Sequence, residues 1–144
     1  MKKKVVILDF DAGNILSLTR AIESLDYNYE LTKNKSKIRD GSFIVLPGDG
    51  AFGHAIKTLG KLDLIDEIIR NVKNGKPLLG ICLGMQLLTS KSEENGNFKG
   101  LSLLEGTVNK IKSDDKKFKV PVIGWRKLMN NKDIVDNFRV KKKL

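Results

Sequence analysis

The segment Gly80-Ile81-Cys82-Leu83-Gly84 sets the sequence's one cysteine between two glycines, after a short apolar run and before a second one. A G-x-C-x-G spacing at a point where a buried strand turns sharply into a helix has the layout of a nucleophile elbow, with Cys in the Ser position. Each part serves the chemistry. A strained turn lifts the sulfur clear of the sheet, and the flanking glycines let neighbouring backbone pack without a Cβ clash. A helix start beyond Cys82 favours the thiolate. The N–H of Leu83 points to where an oxyanion would form. A lone Cys in an apolar run is otherwise a small core residue; the elbow spacing turns the reading toward a nucleophile. Pro47-Gly48-Asp49-Gly50 offers the second half of an oxyanion hole, because flanking glycines let a peptide N–H swing toward the sulfur. Taken alone, that segment reads as a type II turn.

These groups need elements to hold them. Val5–Phe10 is a short apolar run ending in Asp-Phe-Asp-Ala-Gly-Asn, a buried strand followed by a turn. Asn14 can cap a helix whose apolar positions run from Ile15 to Leu25 at helical spacing. Tyr29–Thr32 and Phe43–Leu46 read as further strands, the latter stopped by Pro47. Ala51 through Asn74 reads as helical with one break near Gly60, and Gly75 fits the C′ position. Leu78–Ile81 is another strand, and Met85–Leu88 begins a helix. Beyond Ser90 the texture changes: Ser92–Gly100 reads as a loop, Thr107–Ile111 as a strand, Asp114–Lys117 as a charged turn and Lys119–Ile123 as a strand. Strands alternating with helices over residues 5–90 imply an α/β domain with a largely parallel sheet. Sites in such sheets form at the carboxyl ends of strands. Three Gly-bearing turns fall there: Asp11–Asn14, Gly48–Gly50 and Gly80–Gly84.

Composition narrows the chemistry. The chain has 144 residues, with 27 basic and 17 acidic groups, one Cys and one His. That size suits a single globular domain. One cysteine excludes an internal disulfide framework, and one histidine excludes a multi-His metal centre, so no metal or other cofactor is expected. No apolar run approaches the roughly 18–20 residues that span a membrane, and Val5–Leu8 is too short for a signal peptide, so a cytoplasmic location is expected. Residues 101–144 hold +7 of the net +10 charge. Of the 27 basic residues 22 are Lys, whereas bidentate base and phosphate recognition favours Arg, and the tail lacks interleaved aromatics. This argues against nucleic-acid binding and for a solvated lysine-rich face.

The motifs D-F-D-A-G-N (Asp9–Asn14), L-P-G-D-G-A-F-G (Leu46–Gly53), G-K-P-L-L-G-I-C-L-G-M-Q-L-L (Gly75–Leu88), G-L-S-L-L-E-G-T-V (Gly100–Val108) and K-V-P-V-I-G-W (Lys119–Trp125) follow in this order. Together they resemble the class I (triad-type) glutamine amidotransferases, most narrowly the glutaminase subunit of imidazole glycerol phosphate synthase. The resemblance implies a flavodoxin-like α/β fold, a largely parallel sheet flanked by helices. It implies one amidotransferase domain over residues 1–144, incomplete at its C-terminus with the final strands missing. It implies that Cys82 attacks the side-chain amide of glutamine, giving a thioester and ammonia. The ammonia passes to a (β/α)₈-barrel cyclase/synthase subunit in a heterodimer of histidine biosynthesis. By position Gly48, Gly50 and Leu83 match the oxyanion and substrate strand, Gln86 the residue that hydrogen-bonds bound glutamine, and Glu94 a substrate-side acid.

Three departures qualify that expectation. The family carries its base and orienting acid as His-x-Glu well downstream of the G-W element, whereas this sequence has only His54, after the Gly48–Gly50 loop. Asp49 stands where the family usually has an apolar residue, commonly Val, and Val122 where it usually has His. A cysteine amidase without its base keeps residual catalysis only. Three alternatives stay open: a non-catalytic remnant that binds the synthase partner, a non-functional fragment, and the paralogous amidotransferase of amino-sugar or surface-polysaccharide biosynthesis.

Overall fold

In the computed structural model, residues 3–111 and 124 are described. By internal contacts the chain divides into Met1–Lys110 and Ile111–Leu144, and of the second unit only Ile111 and Gly124 are described. The expected turn at Asp114–Lys117, the strand at Lys119–Ile123, Val122 and the basic tail therefore lie outside the described residues.

The first unit is built on four parallel strands: β1 (Lys4–Leu8), β2 (Asn28–Thr32), β3 (Phe43–Leu46) and β4 (Leu78–Gly80), in the order β2-β1-β3-β4. Register runs Val5↔Tyr29 and Val5↔Phe43 across β1, and Leu46↔Gly80 between β3 and β4. The linking helices are α1 (Ile15–Ser24), α2 (Lys35–Asp40), α3 (Phe52–Lys61) and α4 (Ile65–Lys73), and α5 (Leu83–Leu87) follows β4. The expected α/β fold with a parallel sheet flanked by helices is what the chain adopts.

The period of two along each strand divides the core between the two faces of the sheet. Val6, Leu8, Ile44 and Leu46 pack with Ile38, Phe52, Leu59, Leu64, Ile68, Leu83 and Leu87 on one face. Val5, Ile7 and Val45 pack with Ile22 of α1 on the other. Because β1 and β3 are covered on both sides, they read as continuous apolar runs rather than alternating ones.

Helix ends follow local chemistry. Asn14 caps α1, its side chain accepting the Ser17 N–H, as its residue type predicts. Gly75 is the left-handed C′ residue of α4 (φ +89°), with its N–H on the Val72 carbonyl and the Lys76 N–H on that of Asn71. The break expected near Gly60 falls three residues later. Gly60 stays inside α3, and Asp63 (φ +54°) takes the left-handed position, with Asp63 N–H on Gly60 and Leu64 N–H on Leu59. Asp26 ends α1 the same way (φ +57°). Asp tolerates this region better than most residues, so the stop needs no glycine.

Beyond α5, the stretch expected as a loop is framed by two short strands. β5 (Lys91–Ser92) and β6 (Phe98–Lys99) form an antiparallel hairpin, and β7 (Thr107–Val108) pairs parallel to β5. The sequence gives little warning, since strands of two residues are too short for any periodicity.

Candidate active site

Cys82 sits between the end of β4 and the first residue of α5 with φ +55° and ψ −117°, far outside the regions an L-residue ordinarily occupies. Neighbouring bonds enforce that geometry. The Ile81 N–H donates to the Leu46 carbonyl at 3.0 Å, holding the chain against β3 up to the residue before the cysteine. The Met85 and Gln86 N–H groups donate back to the Cys82 carbonyl at 3.0 and 3.2 Å, starting the helix. The strained turn leaves the thiol exposed. The helix is short, five residues, and the N–H groups of Gly84, Met85 and Gln86 are taken by the Ile81 and Cys82 carbonyls.

Glycine is required here by contact. A Cβ on Gly84 would lie 1.9 Å from the Leu46 carbonyl oxygen, and one on Gly80 2.7 Å from the Met85 backbone. The Gly48–Gly50 turn lies against the elbow, since a Cβ on Gly48 would meet the Gly84 nitrogen at 2.9 Å. On the opposite side the loop before α1 closes in. At Gly13 (φ +103°) a Cβ would stand 3.0 Å from Pro47 Cβ and 3.1 Å from the Gly48 nitrogen, a tight fit on a backbone that favours glycine. The three Gly-bearing turns identified in the sequence thus pack together at the carboxyl ends of β1, β3 and β4.

Between them lies a cavity of about 450 Å³ lined by Cys82, Ile81, Gly48, Asp49, Asn14 and Ser17, among others. Of the sequence-predicted residues, Cys82 and Gly48 reach this cavity together. Leu83 is buried behind the elbow as the first residue of α5, Gln86 is half-buried on the same helix, and Gly50 is exposed at the end of its turn. Glu94 lines a second cavity of about 230 Å³ with Ala51, Gly53, His54, Lys57 and Phe98. Its Oε2 accepts the Phe52 N–H at 2.8 Å. His54, the sequence's one histidine, is exposed on α3 and lines that second cavity, not the one holding Cys82. Among the described residues no cluster of His, Cys, Asp or Glu could hold a metal ion, and no helix is long and apolar enough to cross a membrane. A third cavity of about 460 Å³ lies on the α1 face of the sheet, with a mainly apolar lining that includes Val5, Ile22, Val45 and Leu79.

One relationship escaped the sequence reading. The Asp49 carboxylate, which residue type alone would place against the anionic chemistry, is exposed, and its Oδ1 accepts the Gly13 N–H at 2.9 Å. Asn14 and Ser17 also enter the cavity wall. The sequence signal was the Gly-bearing turn at Asp11–Asn14, whose role as a neighbour of Pro47 and Gly48 depends on β1 and β3 being adjacent in the sheet.

The family model for glutamine amidotransferase class-I matches residues 6–142. The chain is 40% identical over 126 residues to the imidazole glycerol phosphate synthase subunit HisH of Geobacillus sp. (strain WCH70), covering 85% of this chain and 60% of that protein. It is 39% identical over 131 residues to the protein of the same name from Aquifex aeolicus (strain VF5), covering 90% of this chain and 62% of the relative. The chain therefore spans about three-fifths of the length of the curated relatives it matches. A solved structure titled as a glutamine amidotransferase superposes with a TM-score of 0.62 at 21% identity, covering 72% of this chain and 54% of that one, a likeness of fold.

Proposed function

This chain belongs to the class-I glutamine amidotransferase family, and from that premise we propose that it is the glutamine-binding, Cys82-bearing part of an imidazole glycerol phosphate synthase. The observation that carries the reading is the strained Cys82 backbone, φ +55°, at the carboxyl end of β4 and beside the Gly48–Gly50 turn. In this reading the Cys82 sulfur attacks the side-chain carbonyl carbon of glutamine. The resulting oxyanion is met by the Leu83 N–H and by the Gly48–Gly50 turn. The C–N bond then breaks, ammonia leaves with the transferred proton, and water hydrolyses the thioester to glutamate. Gln86 holds the substrate, Glu94 stays on the Phe52 N–H beside the second cavity, and the ammonia is consumed by a cyclase subunit in a cytoplasmic heterodimer.

Attack by the thiol and departure of ammonia each move a proton. Of the described residues lining the Cys82 cavity, Asp49 is the only ionisable group besides the thiol, and the single histidine lines a different cavity. That observation favours a second reading, in which the chain binds glutamine and the cyclase without turning glutamine over at the rate of a complete triad. Glutamate release from glutamine, measured with and without a cyclase subunit and with Cys82→Ala as control, separates the two. Release abolished in Cys82→Ala establishes the catalytic reading. Release at the Cys82→Ala background together with a stable complex establishes the binding reading. Neither release nor a complex overturns both.

A further inference from the structure

We infer that Asp49 is a positioning residue for the Cys82 site: its carboxylate, bonded to the Gly13 N–H, latches the Gly48–Gly50 turn to the loop between β1 and α1 and so sets the wall facing the thiol. The inference rests on the reading of the Cys82 cavity as the glutamine site.

The turn is confined unevenly. Its Gly48 end is wedged between the two neighbouring loops, with Gly84 on one side and Gly13 on the other. Its Gly50 end is not: among the described residues no atom lies within 4 Å of a Cβ there, and the residue holds a positive φ of +79°. A peptide flanked by glycine on an open side has several conformations of similar energy, so something must select among them if its N–H is to face an oxyanion. The Asp49–Gly13 bond, 2.9 Å long and spanning 36 positions of sequence, lies at that point. Its far end is fixed, because Asn14 caps α1 through the Ser17 N–H, and Gly13 itself packs on Pro47. After the turn, the Phe52 N–H is held by Glu94. The turn is thus tethered by one carboxylate at its centre and by a second just beyond its end. Where the family resemblance expects an apolar side chain at position 49, this chain carries an acceptor that reaches the neighbouring loop, so the latch belongs to this sequence.

The test compares Asp49→Asn, which keeps an acceptor oxygen in the same place, with Asp49→Ala, which removes it. Cys82 is alkylated with two reagents and followed by intact mass: a glutamine-shaped diazoketone, which needs a formed substrate site, and iodoacetamide, which does not. In Asp49→Ala the diazoketone rate should fall by about tenfold or more while the iodoacetamide rate stays within about twofold, the pattern of lost alignment rather than lost reactivity. Asp49→Asn should restore the wild-type ratio of the two rates. A ratio unchanged in Asp49→Ala overturns the inference, as does an Asp49→Asn ratio as low as that of Asp49→Ala, which would make the charge and not the hydrogen bond the active feature. Hydrogen exchange reports on the latch separately. Loss of the carboxylate should speed exchange at Gly13 and across residues 48–51 together; acceleration at Gly13 alone overturns the latch. If wild-type protein reacts with iodoacetamide but not with the diazoketone, the glutamine reading fails, and exchange across residues 48–51 still decides the latch.

Discussion

The Glu94 carboxylate accepts the N–H of Phe52, 42 residues earlier in the chain, at 2.8 Å. Phe52 opens α3, and the residue at the cap position, Ala51, has no side chain able to serve that helix end. A side chain from the β5–β6 hairpin therefore does the work of a local Ser or Asp, and brings a negative charge to the helix start. Phe98 of the same hairpin lies where a Cβ on Gly53 would be, at 2.3 Å. The hairpin is joined to α3 by both contacts.

Glu94→Ala should then destabilise the fold by about 1 kcal/mol, the usual cost of a lost cap. Glu94→Gln keeps an acceptor and should lose less than half as much. Urea unfolding midpoints of the three proteins check this. Equal losses in the two variants would show that charge rather than the hydrogen bond matters.

The glycines of the elbow should differ sharply from a glycine elsewhere. Gly84→Ala drives a methyl group into the Leu46 carbonyl and should cost on the order of 3 kcal/mol. Gly60 lies inside α3, and among the described residues only Ile65 Cδ1 comes near a Cβ there, at 3.7 Å. Gly60→Ala should stabilise the protein by about 0.5–1 kcal/mol through helix propensity and a less free unfolded chain. Thermal unfolding of both variants reads the opposite signs directly.

What could be read in the sequence tracks how local its cause is. Strands β1 and β3, the Asn14 cap and the Gly75 stop are written in a few adjacent residues, and all were recoverable. Helix α2 was not: its six residues hold one buried apolar side chain, Ile38, so no period forms, and its signal is Asn34, whose side chain accepts the Ser36 N–H. Cys82 could be found because strand, elbow and helix are contiguous. The bonds from Asp49 to Gly13 and from Glu94 to Phe52 could not, since each joins segments that only the strand order and the hairpin bring together.

Glu67 supplies a prediction away from the site. Its side chain is wholly buried on α4, with Oε2 bonded to Arg39 Nη1 at 3.0 Å and Arg70 Nη2 at 2.5 Å, and Oε1 to Asn71 Nδ2 at 2.7 Å. Both arginines are half-exposed, so either alone can keep the carboxylate partnered. Removing one should cost about 1 kcal/mol, because the other arginine still pairs the carboxylate, and removing both about 3–5 kcal/mol, because an unpaired buried charge remains. A double-mutant cycle on Arg39→Ala and Arg70→Ala should show the double loss exceeding the sum of the single ones.

Glu30 gives the fold a pH dependence. Ion pairs with Lys37 and with Lys4 hold its carboxyl below the ordinary value of 4.5, Lys37 having the larger effect. A carboxyl whose folded value is depressed adds stability that is complete above its unfolded value and is lost as the pH falls through the folded one. The difference in melting temperature between wild type and Glu30→Gln should therefore be constant near neutrality and shrink as the pH drops below about 4.5. Added salt should reduce the neutral-pH difference as well, since the pairs lie at the surface.

Strain at Cys82 makes the last prediction, and it separates function from stability. An L-residue at φ +55° and ψ −117° carries a backbone cost of roughly 1–3 kcal/mol that the surrounding bonds must hold in place. Ala has the same Cβ restriction as Cys, so Cys82→Ala removes the nucleophile and leaves the strain. Gly removes both, while its own greater freedom in the unfolded chain offsets part of the relief. Cys82→Gly should thus be more stable than Cys82→Ala by about 1 kcal/mol, against the usual order of the two residues. Chemical denaturation of the pair measures this without any activity assay. If Cys82→Gly were the less stable of the two, the elbow would not be storing strain, and the sulfur's exposure would need another cause.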